Sequence, residues 1–105
     1  MSDTLARLAA LIETRKHGDQ DTSWTAQLLS KGVDKTAEKF GEEAVEAIVA
    51  AARGDRAGLP REAAAVLYHL LVMLAACDVA YSDVLAELER REGTSGLDEK
   101  SARTN

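Results

Sequence analysis

Four glutamates lie within nine residues of a segment whose apolar spacing predicts a helix: Glu38, Glu42, Glu43 and Glu46. Spacings of three and four residues place Glu43 and Glu42 on the same helix face as Glu46. Carboxylates held this close repel each other unless a cation lies among them, and Mg²⁺ prefers oxygen ligands together with waters and substrate phosphates. The alternative is an ordinary solvated face, which glutamates on an amphipathic helix usually form.

A fifth glutamate, Glu62, begins the next helical segment. In an antiparallel helix pair it would return to the level of Glu43 and Glu46, and bundles build metal sites from facing helices in this way. Taken alone, Glu62 is equally an acid in a first turn, where the helix dipole favours it. His69 follows on the same face, and a packed histidine with one satisfied nitrogen is its simpler interpretation.

Three lysines recur every four residues beside the acidic segment: Lys31, Lys35 and Lys39. If Gly32 does not bend the chain too far, they form a cationic line that would bind phosphate oxygens. The alternative is ordinary pairing with nearby acids such as Glu38. The sequence contains no glycine-rich phosphate loop and no serine–histidine–aspartate arrangement.

Five helical segments must position these residues, and apolar spacing predicts them. Thr22 or Ser23 can cap the second segment, Asp34 can cap the third, and Pro60 suits the first turn of the fourth. The fourth segment is apolar on nearly every side, which is typical of a central helix or of a subunit interface. The expected bounds are about 3–16, 24–30, 34–53, 60–78 and 81–92.

These segments predict an all-α, short-loop bundle of four main helices plus a short helix, paired into a dimer. Val84, Leu85 and Leu88 of the fifth segment are expected to face inward. Cys77 is expected to be a buried, small apolar residue. We expect one domain over residues 1–92, followed by a flexible or loosely docked tail at 93–105, which is rich in glycine and charge.

The composition supports a helical fold and excludes several classes of protein. Apolar residues make up 46% of the 105 residues and aromatic residues only 4%; alanine and leucine dominate, and both favour helices. The net charge of −5 argues against a general nucleic-acid-binding protein, which needs a basic surface. A single cysteine excludes an intramolecular disulfide. With no signal-peptide pattern and no sufficiently long apolar run, we expect a cytoplasmic protein without a membrane partner.

The motifs around these residues resemble phosphoribosyl-ATP pyrophosphohydrolase, within the larger group of all-α, MazG-like nucleotide pyrophosphohydrolases. The resemblance covers nearly the whole chain, and its combination of motifs is fairly specific. The matching stretches are SWTAQLL at 23–29, KG at 31–32, Lys35, KFGEEAVE at 39–46, EAA at 62–64, LYHLL at 67–71 and GTSG at 93–96.

The resemblance implies hydrolysis of 1-(5-phosphoribosyl)-ATP to 1-(5-phosphoribosyl)-AMP and pyrophosphate, the second step of histidine biosynthesis. It also implies a homodimer, and a Mg²⁺ site, because the larger group carries Glu-x-x-Glu on one helix and Glu-x-x-Asp on the next. The implied metal ligands are Glu43, Glu46 and Glu62. The implied catalytic residues are Glu42, Glu43 and Glu46. One of the carboxylates, Glu42 for example, could accept the proton of water, and the sequence leaves the identity of this base open. The implied phosphate-binding residues are Lys31, Lys35 and Lys39.

Position 65 departs from this pattern, because Ala65 stands where the group has its aspartate. Trp24 is a milder departure, at a position where the family commonly has tyrosine. Ala65 removes one expected Mg²⁺ ligand, so two alternatives remain open. One is a general nucleoside triphosphate pyrophosphohydrolase of the same fold, and the other is a catalytically impaired helical dimer that binds a nucleotide or a partner without hydrolysis.

Overall fold

The computed structural model describes residues 3–92, and all five expected helices lie in this range. Their bounds differ from the expected ones by no more than two residues. The described residues contain no strand, so the all-α prediction is confirmed. The expected tail, 93–105, lies outside the described residues, and the division at residue 92 stays a prediction. The helices are α1 (Thr4–Arg15), α2 (Trp24–Ser30), α3 (Val33–Ala52), α4 (Leu59–Ala76) and α5 (Tyr81–Glu92).

The central helix is α4, which packs against α1, α2 and most extensively α3. Its second half supplies Leu71, Val72 and Ala75 to a core that Ile12 of α1 and Leu28 of α2 complete. Fully burying one such aliphatic side chain contributes about 1.5–3 kcal/mol. The apolar residues of α4 therefore form the core where three helices meet, as the sequence predicts for a central helix.

The helix ends follow local signals in most places. Ser23 caps α2, because its Oγ accepts a hydrogen bond from the amide of Ala26 at 3.1 Å. Pro60 lies in the first turn of α4, as expected. The prediction that Asp34 caps α3 is wrong: the N-cap is Gly32, whose φ of 89° favours glycine, and Asp34 lies in the first turn. Gly32 therefore separates α2 from α3 by a sharp change of direction.

Two burial predictions are wrong, and both concern the chain after α4. Cys77 is exposed because it is the C-cap of α4, just before Asp78 at φ 59° reverses the chain. Leu85 and Leu88 are exposed, and no residue of α5 is buried. They line an open groove of about 530 Å³ between α5 and the start of α1, so this apolar face meets a gap where the sequence predicts a core.

By length and mean hydropathy alone, α4 could cross a bilayer, which the sequence analysis did not anticipate. Its 18 residues have a mean hydropathy of 1.3. Core helices of other proteins have the same character, and α4 carries Arg61, Glu62 and His69 while packing against three helices. This helix is therefore weak evidence for a membrane span.

The core junction generates a stability prediction for two adjacent residues of α1. Ile12→Ala should lower the free energy of unfolding by about 2–5 kcal/mol, because the Ile12 side chain is 1% exposed and its loss leaves a cavity. Leu11→Ala is the matched control, since Leu11 is 47% exposed, and should cost under about 1 kcal/mol. Urea denaturation followed by circular dichroism measures both. Equal losses would contradict the placement of the core on this side of α1.

Candidate metal centre

Three glutamates from two helices meet where α3 faces α4. Glu43 and Glu46 come from α3 and Glu62 from the first turn of α4, and one carboxylate oxygen of each lies within 4.8 Å of the others. Glu43 and Glu62 are partly buried, whereas Glu46 is exposed. We call these residues the carboxylate triad. The expectation that Glu62 returns to the level of the α3 glutamates agrees with this geometry.

The turn between α3 and α4 sets the position of Glu62. Gly54 adopts a φ of 74°, which reverses the chain after α3. Asp55 Oδ1 then accepts a hydrogen bond from the amide of Gly58 at 2.9 Å, just before α4 begins. A Cβ at Gly58 would contact the Asp55 carboxylate, which would have to move aside. The turn therefore has a defined shape and fixes the register at which α4 starts.

The donor set of the triad fits a hard divalent cation. Mg²⁺ binds oxygen at about 2.1 Å, so ligands on opposite sides of the ion stand about 4.2 Å apart. The triad oxygens lie within 4.8 Å of one another, which is close to this separation. Waters and phosphate oxygens would complete the coordination, because Mg²⁺ seldom takes all its ligands from protein.

Glu42 lies outside this triad and pairs with a lysine. Lys39 Nζ is 3.4 Å from Glu42 Oε1, and Lys35 Nζ is 3.2 Å from Glu38 Oε1. These are the ordinary pairs within a helix that the sequence left open. Exposed pairs of this kind contribute about 0–1 kcal/mol, so a polyanionic ligand could take over either lysine at little cost.

Lys31 does not continue the expected cationic line. It is the C-cap of α2, and the bend at Gly32 breaks the helical spacing that would align it with Lys35. Its Nζ lies 5.7 Å from the ring centre of Trp24, an exposed aromatic residue on α2. The four-residue repeat therefore places only Lys35 and Lys39 together on α3.

His69 lies on α4 beside the triad and is 7% exposed. Its Nε2 is 3.9 Å from Glu43 Oε1, and the ring of Tyr68 meets it edge-on with centroids 4.9 Å apart. Burial lowers the pKa of the His69 imidazole, because desolvation disfavours its charged form; Glu43 opposes this shift and Lys39 adds to it. The packed histidine expected from the sequence is present, but its Nδ1 atom has no hydrogen-bond partner.

Ala65 occupies the α4 face between Glu62 and His69. The spacings of three and four residues put these positions on one side of the helix. Ala65 is partly buried there. An aspartate at this position would add a carboxylate to the same face as Glu62, so the departure noted in the sequence falls inside the candidate centre.

A cleft of about 260 Å³ opens beside the triad. This volume is below the roughly 300–1,000 Å³ of sites for drug-sized ligands, so it suits the phosphate end of a nucleotide rather than the whole molecule. Arg53 lines this cleft, and a guanidinium can bind phosphate through two parallel hydrogen bonds. Sequence reasoning missed Arg53, whose only signal was a basic residue ending the acidic helix. The lining residues are Val45, Glu46, Val49, Ala50, Arg53, Asp55 and Glu62.

Comparison with known proteins agrees with the resemblance seen in the motifs. A family model described as "Phosphoribosyl-ATP pyrophosphohydrolase" matches residues 5–92. Relatives named "Phosphoribosyl-ATP pyrophosphatase" include one from Cereibacter sphaeroides (strain ATCC 17025), 69% identical over 94% of this chain and 96% of the relative. Another, from Dinoroseobacter shibae, is 70% identical over 94% of this chain and 97% of the relative. One from Ruegeria pomeroyi is 67% identical over 91% of each chain. On this evidence, the chain belongs to the phosphoribosyl-ATP pyrophosphohydrolase family.

Proposed function

We propose that this chain hydrolyses 1-(5-phosphoribosyl)-ATP to 1-(5-phosphoribosyl)-AMP and pyrophosphate in histidine biosynthesis, with Mg²⁺ held by Glu43, Glu46 and Glu62. The observation that carries the proposal is the meeting of three carboxylates from two helices. The chain is also 69–70% identical to relatives named for this reaction. As a biosynthetic enzyme for a small nucleotide, it would work in the cytoplasm without a nucleic-acid partner.

The reaction breaks one phosphoanhydride bond. Water adds to a phosphorus of the α–β anhydride, the bridging P–O bond breaks, and pyrophosphate leaves. Bound Mg²⁺ would supply positive charge against the charge that develops on the phosphate oxygens. Glu43 and Glu46 would act in catalysis by holding that ion. Glu42, outside the triad and open to solvent, accepts the proton of the attacking water.

Cations flank the triad along α3, and this order suits a triphosphate. Lys39 lies one turn before Glu43, and Arg53 lies two turns after Glu46 in the cleft. Lys35 and Lys39 would bind phosphate oxygens on one side, and Arg53 would bind them on the other. Lys31, the C-cap of α2, would contact a more distant phosphate, because the substrate carries a second phosphate on its phosphoribosyl group.

A second candidate function is nucleotide binding without turnover, and Ala65 is the observation that favours it. It leaves α4 with Glu62 as its carboxylate in the triad. A general nucleoside triphosphate pyrophosphohydrolase is the other alternative, and the named relatives favour the histidine-pathway substrate over it.

We also propose that the active form is a homodimer. Val45, Ile48 and Val49 leave an apolar stripe exposed on α3, and Ile48 is 65% exposed. Exposed apolar clusters mark interaction surfaces, and a chain of this size buries only a thin core by itself. Val45 and Val49 also line the cleft beside the triad. A second copy seated on this stripe would thus shield the site from water.

The carboxylate triad predicts a metal-dependent change in stability. Mg²⁺ should raise the melting temperature of the wild type, because a ligand that binds only the folded state stabilises it. Glu62→Gln should remove most of this rise. Glu38→Gln is the matched control, because Glu38 is an α3 glutamate outside the triad, and it should keep the full rise. Scanning fluorimetry with Mg²⁺ or EDTA measures this, and equal rises in both variants would refute the assignment.

Pyrophosphate release tests the activity and the role of Ala65 together. The wild type should release pyrophosphate from phosphoribosyl-ATP with Mg²⁺ and not with EDTA, and should prefer it to ATP and deoxynucleoside triphosphates. Ala65→Asp should lower the Mg²⁺ concentration for half-maximal rate by about tenfold, because it adds a ligand. Release only by the variant would favour the binding-only function. No release by either would contradict the proposed reaction, and an unchanged Mg²⁺ requirement would contradict the role given to Ala65.

The apolar stripe on α3 predicts the oligomeric state. Light scattering should give twice the 11.3 kDa chain mass for the wild type. Ile48→Lys should give a monomer, because it places a charge in an apolar interface without a partner. Leu11→Lys, which changes an exposed leucine on α1, should stay dimeric. A monomeric wild type, or an Ile48→Lys dimer, would rule out this interface.

A further inference from the structure

His69 is buried although its side chain is polar. Among the residues that the structure describes, Thr36 is the other buried polar side chain, and its hydroxyl donates to the carbonyl of Val33 at 2.9 Å. By contrast, Nδ1 of His69 has no partner. An unsatisfied buried polar atom costs roughly 1–3 kcal/mol. An apolar side chain in this apolar helix would avoid that cost, so another role of the imidazole must offset it.

The opposite edge of the ring faces the carboxylate triad. His69 Nε2 lies 3.9 Å from Glu43 Oε1, and the two side chains are only 8% and 17% exposed. A hydrogen bond between such atoms measures about 2.7–3.2 Å, so a movement of the Glu43 carboxylate by roughly 1 Å would form one. Lys39 and Glu42 on α3 also interact with His69 through their charges, but these two side chains pair with each other.

The unpartnered Nδ1 decides which nitrogen carries the proton. A neutral imidazole has one N–H and one nitrogen with a lone pair. A proton on Nδ1 would bury a donor without an acceptor, whereas a proton on Nε2 lies beside a carboxylate. The Nε2–H form is therefore favoured, and its donor is directed at Glu43.

Tyr68 fixes the ring from its other side. Its hydroxyl forms a 2.5 Å hydrogen bond with Thr25 Oγ1 of α2, and its ring contacts His69 edge-on. A ring held in this way loses little freedom when it donates to a neighbour. The contacts run without a break from α2, through Tyr68 and His69 of α4, to Glu43 of α3.

We propose that His69 is a positioning residue for the metal centre: its Nε2–H donates to one oxygen of Glu43 and leaves the other oxygen to Mg²⁺. The inference rests on the proposed function, because it needs a cation at the triad. A ligand held by a second group is already oriented for the metal, and losing such a group typically weakens metal binding about 10–100-fold. With alanine at position 65, orientation of the remaining carboxylates carries more of the affinity.

Mg²⁺ titration by calorimetry, without substrate, tests this role with two variants of His69. In His69→Gln an amide N–H replaces the Nε2 donor, whereas His69→Met fills the space without one. Met should weaken Mg²⁺ binding about 10–100-fold and Gln should restore it to within about threefold of the wild type. The melting temperature of His69→Met without Mg²⁺ should not fall, because the orphan Nδ1 is gone. Leu67→Met, the control at a nearby exposed residue of α4, should keep wild-type Mg²⁺ affinity.

Nitrogen chemical shifts of the imidazole give a readout independent of the metal. The chain has two histidines, and the spectrum of His69→Gln identifies the signals of the other. The wild type should show the Nε2–H form at His69, and the Nδ1–H form would overturn the inference. Equal Mg²⁺ affinity in wild type and His69→Met would overturn this inference and leave the metal assignment in place. A wild type that binds no Mg²⁺ would overturn the metal assignment and this inference together.

Discussion

Mutual repulsion of the carboxylates between α3 and α4 is the constraint on which the rest of the structure depends. Three acids from two helices bring carboxylate oxygens within 4.8 Å of one another, and like charges at this separation repel. The two helices nevertheless form the most extensive contact in the described chain. Packing along the α3–α4 interface, together with the Asp55–Gly58 turn before α4, keeps the two helices together despite this repulsion.

The central helix divides these tasks along its length. The second half of α4 supplies Leu71, Val72 and Ala75 to the core, whereas its first turn supplies Glu62 to the triad. His69 lies between the two regions of α4, and its Nε2 is 3.9 Å from Glu43 Oε1 on α3. The same helix therefore carries both core residues and a carboxylate of the triad. Packing of its second half helps to position Glu62 in its first turn.

The sequence predicted what depends on periodicity and left open what depends on single torsions or on tertiary neighbours. Glu62 could be assigned to the triad because helix spacing and an antiparallel connection place it there. The alignment of Lys31 could not, since it depends on the φ of Gly32. The amphipathic pattern of α5 predicts an apolar face, but it does not determine which part of the protein covers that face. The orphan nitrogen of His69 and the location of Arg53 in a cleft are properties of packed neighbours, which no spacing encodes.

The Asp55–Gly58 turn has a consequence for how the chain can change in length. Surface loops usually tolerate inserted residues, because each extra residue adds little closure entropy. Here one inserted residue would change the path of the chain from Arg53 to Gly58 and so shift the start of α4 relative to α3. Glu62 would then leave the triad although the helix itself could still form. Chemistry, rather than stability, thus restricts this short connection to its present length.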